Sequence, residues 1–300
     1  MAQKKKNDPR IRPDYESLNG LSSRIRFKHY SRSNSVADGA FPSVFRGQSM
    51  EFEDLRPYVP GDNLRDMDWK ASSRAGMPMV RNYVADKRKQ IIFMADTGKT
   101  MRGIMPDGTD KRECGILTIA SAAYLAGRSG ADYCILSGKD WKSRIKRFGN
   151  GPVFLEEGLT SLQEEVFGKE VYDLESRLDG ILDAPLKGVA ICLVTDMKGL
   201  IEIPEKILRT AAAEREFYVF EISDGSLDRR NYFDVLTDRM IPEFISRSKG
   251  LSAEIWKKQT EYQAQVRSKL RRCGVYYAYL DDKKEIPETV TGVLNGEITD

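Results

Sequence analysis

The chain has 300 residues, 40% hydrophobic and 31% charged, with a net charge of +3. That is enough apolar material for one large or two small domains with a substantial core. A single histidine, His29, removes Ser-His-Asp and Cys-His catalysis and His-rich metal ligation. Cys114, Cys134, Cys192 and Cys273 lie far apart, which fits neither a disulfide frame nor a zinc site and points to reduced, buried thiols.

Residues 1–50 hold ten Lys/Arg against four Asp/Glu, a local charge of +6, so the remainder sums to −3. The first nine residues show no apolar stretch behind their lysines, so no signal peptide is expected. The longest apolar run, near Val189–Val194, falls far short of the ~20 residues of a membrane helix. A cytoplasmic protein is therefore expected. Residues 1–13 read as a disordered basic tail; nucleic acid or acidic lipid is the alternative use of that charge. A short helix is expected within 14–30, with His29 on the surface, and a polar linker over Ser31–Ser43. The segment 46–81 is a charged box without a helical or strand period. Within it Val59-Pro60-Gly61-Asp62 reads as a type II turn. Arg65 and Arg74 are placed to pair with Asp62 and Asp68, and Trp69 is expected to bury its ring. Val80–Val84 fits a short strand.

From residue 90 strands and helices alternate. Strands are expected at Ile91–Ala95, Tyr133–Leu136, Val189–Thr195, Phe217–Ile222 and Val275–Leu280, with an edge strand at Ser143–Phe148. Helices are expected at Cys114–Arg128, Asp173–Leu182, Pro204–Arg215 and Ser252–Arg271, the last capped by Ser252. This order predicts an α/β fold, a mostly parallel sheet sandwiched by helices, whose sites form at the carboxyl ends of its strands. Two of those strands lead into an aspartate, Asp96 and Asp196.

Asp96-Thr97-Gly98-Lys99-Thr100 admits four readings. A P-loop would need glycine at position 93, where Phe93 stands inside a strand. An aspartyl-phosphate enzyme of the haloacid dehalogenase type would need an acid at position 98, where Gly98 has no proton to give. A metal-ion-dependent adhesion site would use Asp96, Thr100 and Asp196 as oxygen ligands for magnesium, with Gly98 failing one position and Tyr172 another; Thr160 is an alternative well upstream. Finally, Asp96 and Asp196 could simply cap the loops and helices that follow them.

The box decides the family. Glu51-Phe52, Leu55-Arg56, Tyr58, Pro60-Gly61-Asp62, Arg65, Asp68-Trp69-Lys70, Arg74, Gly76 and Val80-Arg81 resemble the signature of the domain-of-unknown-function fifty-eight (DUF58) family. In that family the box precedes a von Willebrand factor A-like (vWA) domain whose first strand ends in an adhesion-type metal loop. The resemblance implies a vWA-like domain over 89–300 behind an amino-terminal extension, 14–88, packed on it. It implies a non-catalytic protein-binding module, an adaptor or co-chaperone for a MoxR-type AAA+ ATPase and a client protein, here in a version lacking the membrane helices of many relatives. The metal site at Asp96, Thr100 and Asp196 is expected to be weak or vestigial. Arg56, Tyr58, Gly61, Asp62, Arg65, Asp68, Trp69 and Arg74 form the signature box, acting either as a clasp onto the sheet or as a partner-binding patch. The alternatives are a magnesium-dependent phosphohydrolase using Asp96, and nucleic-acid binding through the basic amino terminus.

Overall fold

The computed structural model describes residues 10–25, 50–85, 88–186, 188–225, 233–237, 239–240 and 248–297. His29, the linker at Ser31–Ser43 and residues 1–9 and 46–49 lie outside them. Two compact units form: one takes in the residues up to His29 and those from Lys89 onward, the other the segment 30–88.

The larger unit is built on five parallel strands: β3 (Gln90–Ala95), β4 (Asp132–Ile135), β5 (Ala190–Asp196), β6 (Phe217–Ile222) and β9 (Tyr276–Leu280). Their order is β4-β3-β5-β6-β9, with every neighbouring pair parallel. Helices cover both faces, so the strands are buried on two sides and read as continuous apolar runs. Ile91, Phe93 and Ala95 point into one core layer and Ile92 and Met94 into the other. The first layer is covered by α1 (Tyr15–Ser22), α3 (Lys111–Arg128), α5 (Pro152–Val166) and α10 (Ile286–Leu294). The second is covered by α4 (Trp141–Arg144), α6 (Leu174–Leu182), α7 (Met197–Glu202), α8 (Glu205–Glu214) and α9 (Lys249–Cys273). A two-residue antiparallel pair, β7 (Phe233–Asp234) with β8 (Arg239–Met240), lies between β6 and α9 in the chain. All four cysteines are buried and unpaired.

Four local expectations need correction. Ser143–Phe148 is not an edge strand: its basic residues belong to the helical turn α4 and the bend after it, with Ile145 buried beside Trp141 in the second core layer. Helix α9 starts a turn earlier than expected, with Ser248 rather than Ser252 as its cap. The end of the expected disordered tail is docked. Ile11 exchanges two backbone hydrogen bonds with the Gln163 side chain, at 3.0 and 3.2 Å, and Arg12 pairs with Glu156 at 2.7 Å. Helix α1, grouped with the extension in sequence, inserts Leu18 and Leu21 into the first core layer of the α/β unit.

The smaller unit pairs β1 (Met50–Pro57) with β2 (Met79–Ala85) in antiparallel register, with an irregularity between Phe52 and Asp54. A short 3-10 turn, Leu64–Asp66, and α2 (Trp69–Ala75) connect them. The box therefore does contain regular structure, a hairpin and a short helix. Gly61, at φ 111°, makes the turn that returns Asp62 N to Val59 O at 3.0 Å, a backbone region open to glycine at little cost.

Candidate functional site

Strand order reverses between β3 and β5, since the chain leaves β3 for β4 on one side and later returns to β5 on the other. Loops part at such a point and leave a crevice at the carboxyl ends of the strands. Asp96 and Asp196 stand there. Asp96 N extends the ladder to Val194 O at 2.8 Å. Its Oδ1 accepts from Gly98 N at 2.7 Å and its Oδ2 from the Thr195 hydroxyl at 2.7 Å. Asp196 caps α7 by accepting from Gly199 N at 3.0 Å. A Cβ on Gly199 would collide with Thr195 Oγ1 and stand 2.6 Å from Asp96 Oδ2, so the close approach requires glycine.

The residue that completes this rim is Lys111. Its side chain is fully buried, and its Nζ donates to Asp196 Oδ2 and to Asp224 Oδ1, each at 2.6 Å. Lys111 is the first residue of α3, where a positive charge meets the positive end of the helix dipole. The two carboxylates offset that placement. Burial alone would neutralise the lysine, but Asp196 and Asp224 outweigh it and hold the ammonium above its ordinary range. Burial likewise presses Asp196 upward, and Lys111 with the Gly199 amide reverses this and leaves it below the usual carboxylate range. Burial raises Asp96 and Asp224, and the hydrogen bonds and Lys111 only partly oppose it.

Tyr172, which stands where a threonine ligand would be expected, instead donates its backbone N–H to Thr97 Oγ1 at 2.9 Å. Its ring lies under the Arg177 guanidinium, 4.1 Å away. Arg177 in turn grips both oxygens of Glu165 at 2.7 and 2.9 Å, and Glu165 also accepts from Gly138 N. Thr160 does not reach the rim: its hydroxyl donates to Glu156 O within α5. A cleft of about 260 Å³ opens above Asp96, lined among others by Lys99, Tyr172, Glu175, Lys198 and Leu236.

Asp96, Thr100 and Asp196 do gather on one rim, but the arrangement does not fit magnesium. That ion demands several oxygen ligands in an octahedron at about 2.1 Å. Both oxygens of Asp96 and both of Asp196 already accept hydrogen bonds. Among the described residues no group of three or more His, Cys, Asp and Glu side chains could hold a metal ion. Gly98 supplies a backbone donor to Asp96 rather than a ligand.

In the smaller unit the box residues are pinned differently from expectation. Asp62 takes a two-pronged bond from Arg56 at 2.7 Å in each prong and a backbone bond from Val59 at 2.9 Å. Asp68 caps α2 through Ala71 N at 2.9 Å and takes Arg81 Nε at 3.0 Å. The hairpin explains the exchange: it carries Arg56 and Arg81 on paired strands toward the turn and the helix, while Arg65 and Arg74 point outward, exposed. Trp69 is 72% exposed and does not bury its ring. Asp68 fixes the backbone at its position, and the Ser72 hydroxyl accepts from Met79 N at 2.8 Å, so the inward side of α2 is Ala71 and Ser72. Tyr58 is half-buried, its N–H bonded to Pro78 O at 2.9 Å.

Residues 54–198 match the DUF58 family. The description of that family is "Protein of unknown function DUF58", and the matched span holds the box from Asp54 on together with Asp96, Thr100 and Asp196, which bears out the DUF58 part of the resemblance. An uncharacterized protein of Mycobacterium bovis, Mb1516, and one of Mycobacterium tuberculosis, Rv1480, are each 28% identical over 100 residues, 32% of this chain. The match spans 30% of the length of those relatives. Among solved structures, BatB from Bacteroides thetaiotaomicron aligns at 14% identity and a TM-score of 0.37, over 68% of this chain and 98% of its own. An aerotolerance-related membrane protein from Bacteroides fragilis aligns at 11% identity and a TM-score of 0.39, over 69% of this chain and 99% of its own. Among the described residues no helix is long and apolar enough to cross a membrane.

Proposed function

We propose that the chain is a non-catalytic protein-binding module, an adaptor or co-chaperone acting with a MoxR-type AAA+ ATPase. The observation that carries this reading is the outward face of the box. Asp62 and Asp68 are each matched to an arginine of the hairpin. Arg65, Lys70 and Arg74 are exposed, and no ion pair engages them among the described residues. Beside them stand Trp69, Leu64 and Met77, 72%, 63% and 50% exposed. A rigidly capped helix presenting Trp with uncompensated arginines has the composition of a binding hot spot. The vWA-like reading of the larger unit, consistent with its five-stranded parallel sheet, supports the same class of activity, and the choice of ATPase rests on the family resemblance.

The test is binding of a purified MoxR-type ATPase by biolayer interferometry. Trp69→Ala and Arg65→Ala/Arg74→Ala should each weaken binding about tenfold or more while leaving the melting temperature unchanged, as expected for exposed hot-spot residues. Undiminished affinity in both variants would refute the patch. The phosphohydrolase alternative is disfavoured by Asp96 itself, buried with both oxygens engaged and a glycine where the general acid would stand. Magnesium-dependent turnover of p-nitrophenyl phosphate that disappears in Asp96→Asn would restore it.

A further inference from the structure

We propose that the Lys111 ammonium is a tethered replacement for a divalent cation, so that the rim refuses metal as it stands and becomes a hard-cation site when that one side chain is shortened. Lys111 reaches the rim from the start of α3, with its backbone N–H bonded to Gly103 O at 3.0 Å and its stem passing Gly103. The stem is thus held by packing, and the charge is delivered to a fixed point. At that point Asp196 Oδ2 and Asp224 Oδ1 both lie 2.6 Å from Nζ. An ammonium offers three donors and one charge. Two carboxylates converging on one point are also what a magnesium or manganese ion uses, with waters filling the rest of its shell. The two cations compete for one place, and the covalently attached one binds there intramolecularly, without the cost of bringing in a free ion. The Asp224 carboxylate, 42% exposed, gives water and ions a path to that place once the lysine is gone.

Competition between the two cations at the rim is independent of the partner that the box binds. The probe is Mn²⁺ alone, titrated calorimetrically and by thermal shift into the full-length protein, with NaCl at matched ionic strength as control. The wild type should show no Mn²⁺ binding tighter than ~1 mM and no shift in melting temperature on adding EDTA. Lys111→Ala should bind Mn²⁺ at least about tenfold more tightly, and the ion should raise its melting temperature by linkage. Lys111→Ala/Asp224→Asn should lose that gain. If Lys111→Ala is too unstable to titrate, its refolding yield with and without Mn²⁺ is the readout, and rescue by Mn²⁺ but not by NaCl supports the proposal. Sub-millimolar binding by the wild type overturns it, as does a Lys111→Ala protein that gains neither affinity, melting temperature nor refolding yield from Mn²⁺.

Discussion

Lys111→Met isolates the electrostatic part of the rim. Methionine retains most of the stem that passes Gly103 and removes only the charge and the donors. The cost of the change is set by the two orphaned carboxylates. The Asp224 side chain is enclosed on one side but 42% exposed on the other, so it costs less than the fully buried Asp196. Asp196 is fully buried and retains only the Gly199 amide. Removing one partner of a buried ion pair costs about 3–5 kcal/mol, and the retained bond places this case near ~3 kcal/mol. For a folded unit of this size that lowers the melting temperature by roughly 6–12 °C. The loss should be nearly constant between about pH 5 and pH 9. Asp196 titrates below its ordinary value in the folded protein, so its contribution fades only as the solution becomes acidic. Lys111 titrates above its ordinary value, so its contribution fades only in strong alkali. Adding Asp196→Asn to Lys111→Met should recover part of the loss, since a neutral amide costs less to bury than an unpaired charge. The assay is urea unfolding of wild type, both single variants and the double variant, with a coupling energy of about 2 kcal/mol expected. Lys111→Met within about 0.5 kcal/mol of wild type, or strict additivity of the two changes, would refute a buried ion pair as the rim's main electrostatic support.

Other residues give further expected outcomes. Trp69→Ala should leave unfolding within about 0.5 kcal/mol of wild type, because the ring is exposed; a urea midpoint shifted by much more would mean that the box is a clasp. Gly199→Ala should destabilise by roughly 1–3 kcal/mol by forcing apart the Thr195 and Asp96 side chains, read as a lowered melting temperature. Burial pushes Glu221 up to about 7, against the Tyr277 hydroxyl bond at 2.7 Å and the charge of Arg267. The folded state therefore holds a proton that the unfolded state releases, and the stability from this group is full below about pH 4.5 and lost as pH rises toward 7, about 3 kcal/mol in all. Glu221→Gln should flatten that decline and be the more stable protein at pH 8, while a wild type with unchanged urea midpoints from pH 4.5 to 8 would contradict it. Deleting residues 1–13 should cost roughly 1–2 kcal/mol through the lost Ile11–Gln163 bonds, whereas deleting only 1–9 keeps them, so calorimetry of the two truncations should separate them.

The five strands were legible because a parallel strand buried on both faces is apolar at every position, as in Ile91-Ile92-Phe93-Met94-Ala95. Asp96 and Asp196 were legible for a related reason: an acid ending such a run stands out. Asp224 follows β6 in the same way, after Ser223, and carried the same signal one strand further on. Lys111 was not legible as a buried residue, since a lysine beside Asp110 and Arg112 reads as part of a solvated helix start. The one hint was its place, a cation at the end of a helix that favours anions. Trp69 was misread because a lone aromatic in a charged segment has the same sequence pattern whether it anchors a core or faces water. The partners of Asp62 and Asp68 were misread because proximity in sequence favoured Arg65 and Arg74, while the hairpin register brought Arg56 and Arg81 instead.

The Arg177 cluster has a dynamic consequence. Arg177 joins Glu165 to the Tyr172 ring, Glu165 holds the amide of Gly138, and the amide of Tyr172 is held by Thr97. Three loops that leave different strands and helices are thereby fastened to one guanidinium. None can open far without stripping a partner from a buried charge, so they should open as one cooperative unit. In native-state hydrogen exchange the amides of Gly138 and Tyr172 should then share one opening free energy and one denaturant dependence, although 34 positions separate them in the chain. A partner that grips any one of these loops would slow exchange in all three, and a footprint measured by exchange would be wider than the surface actually touched.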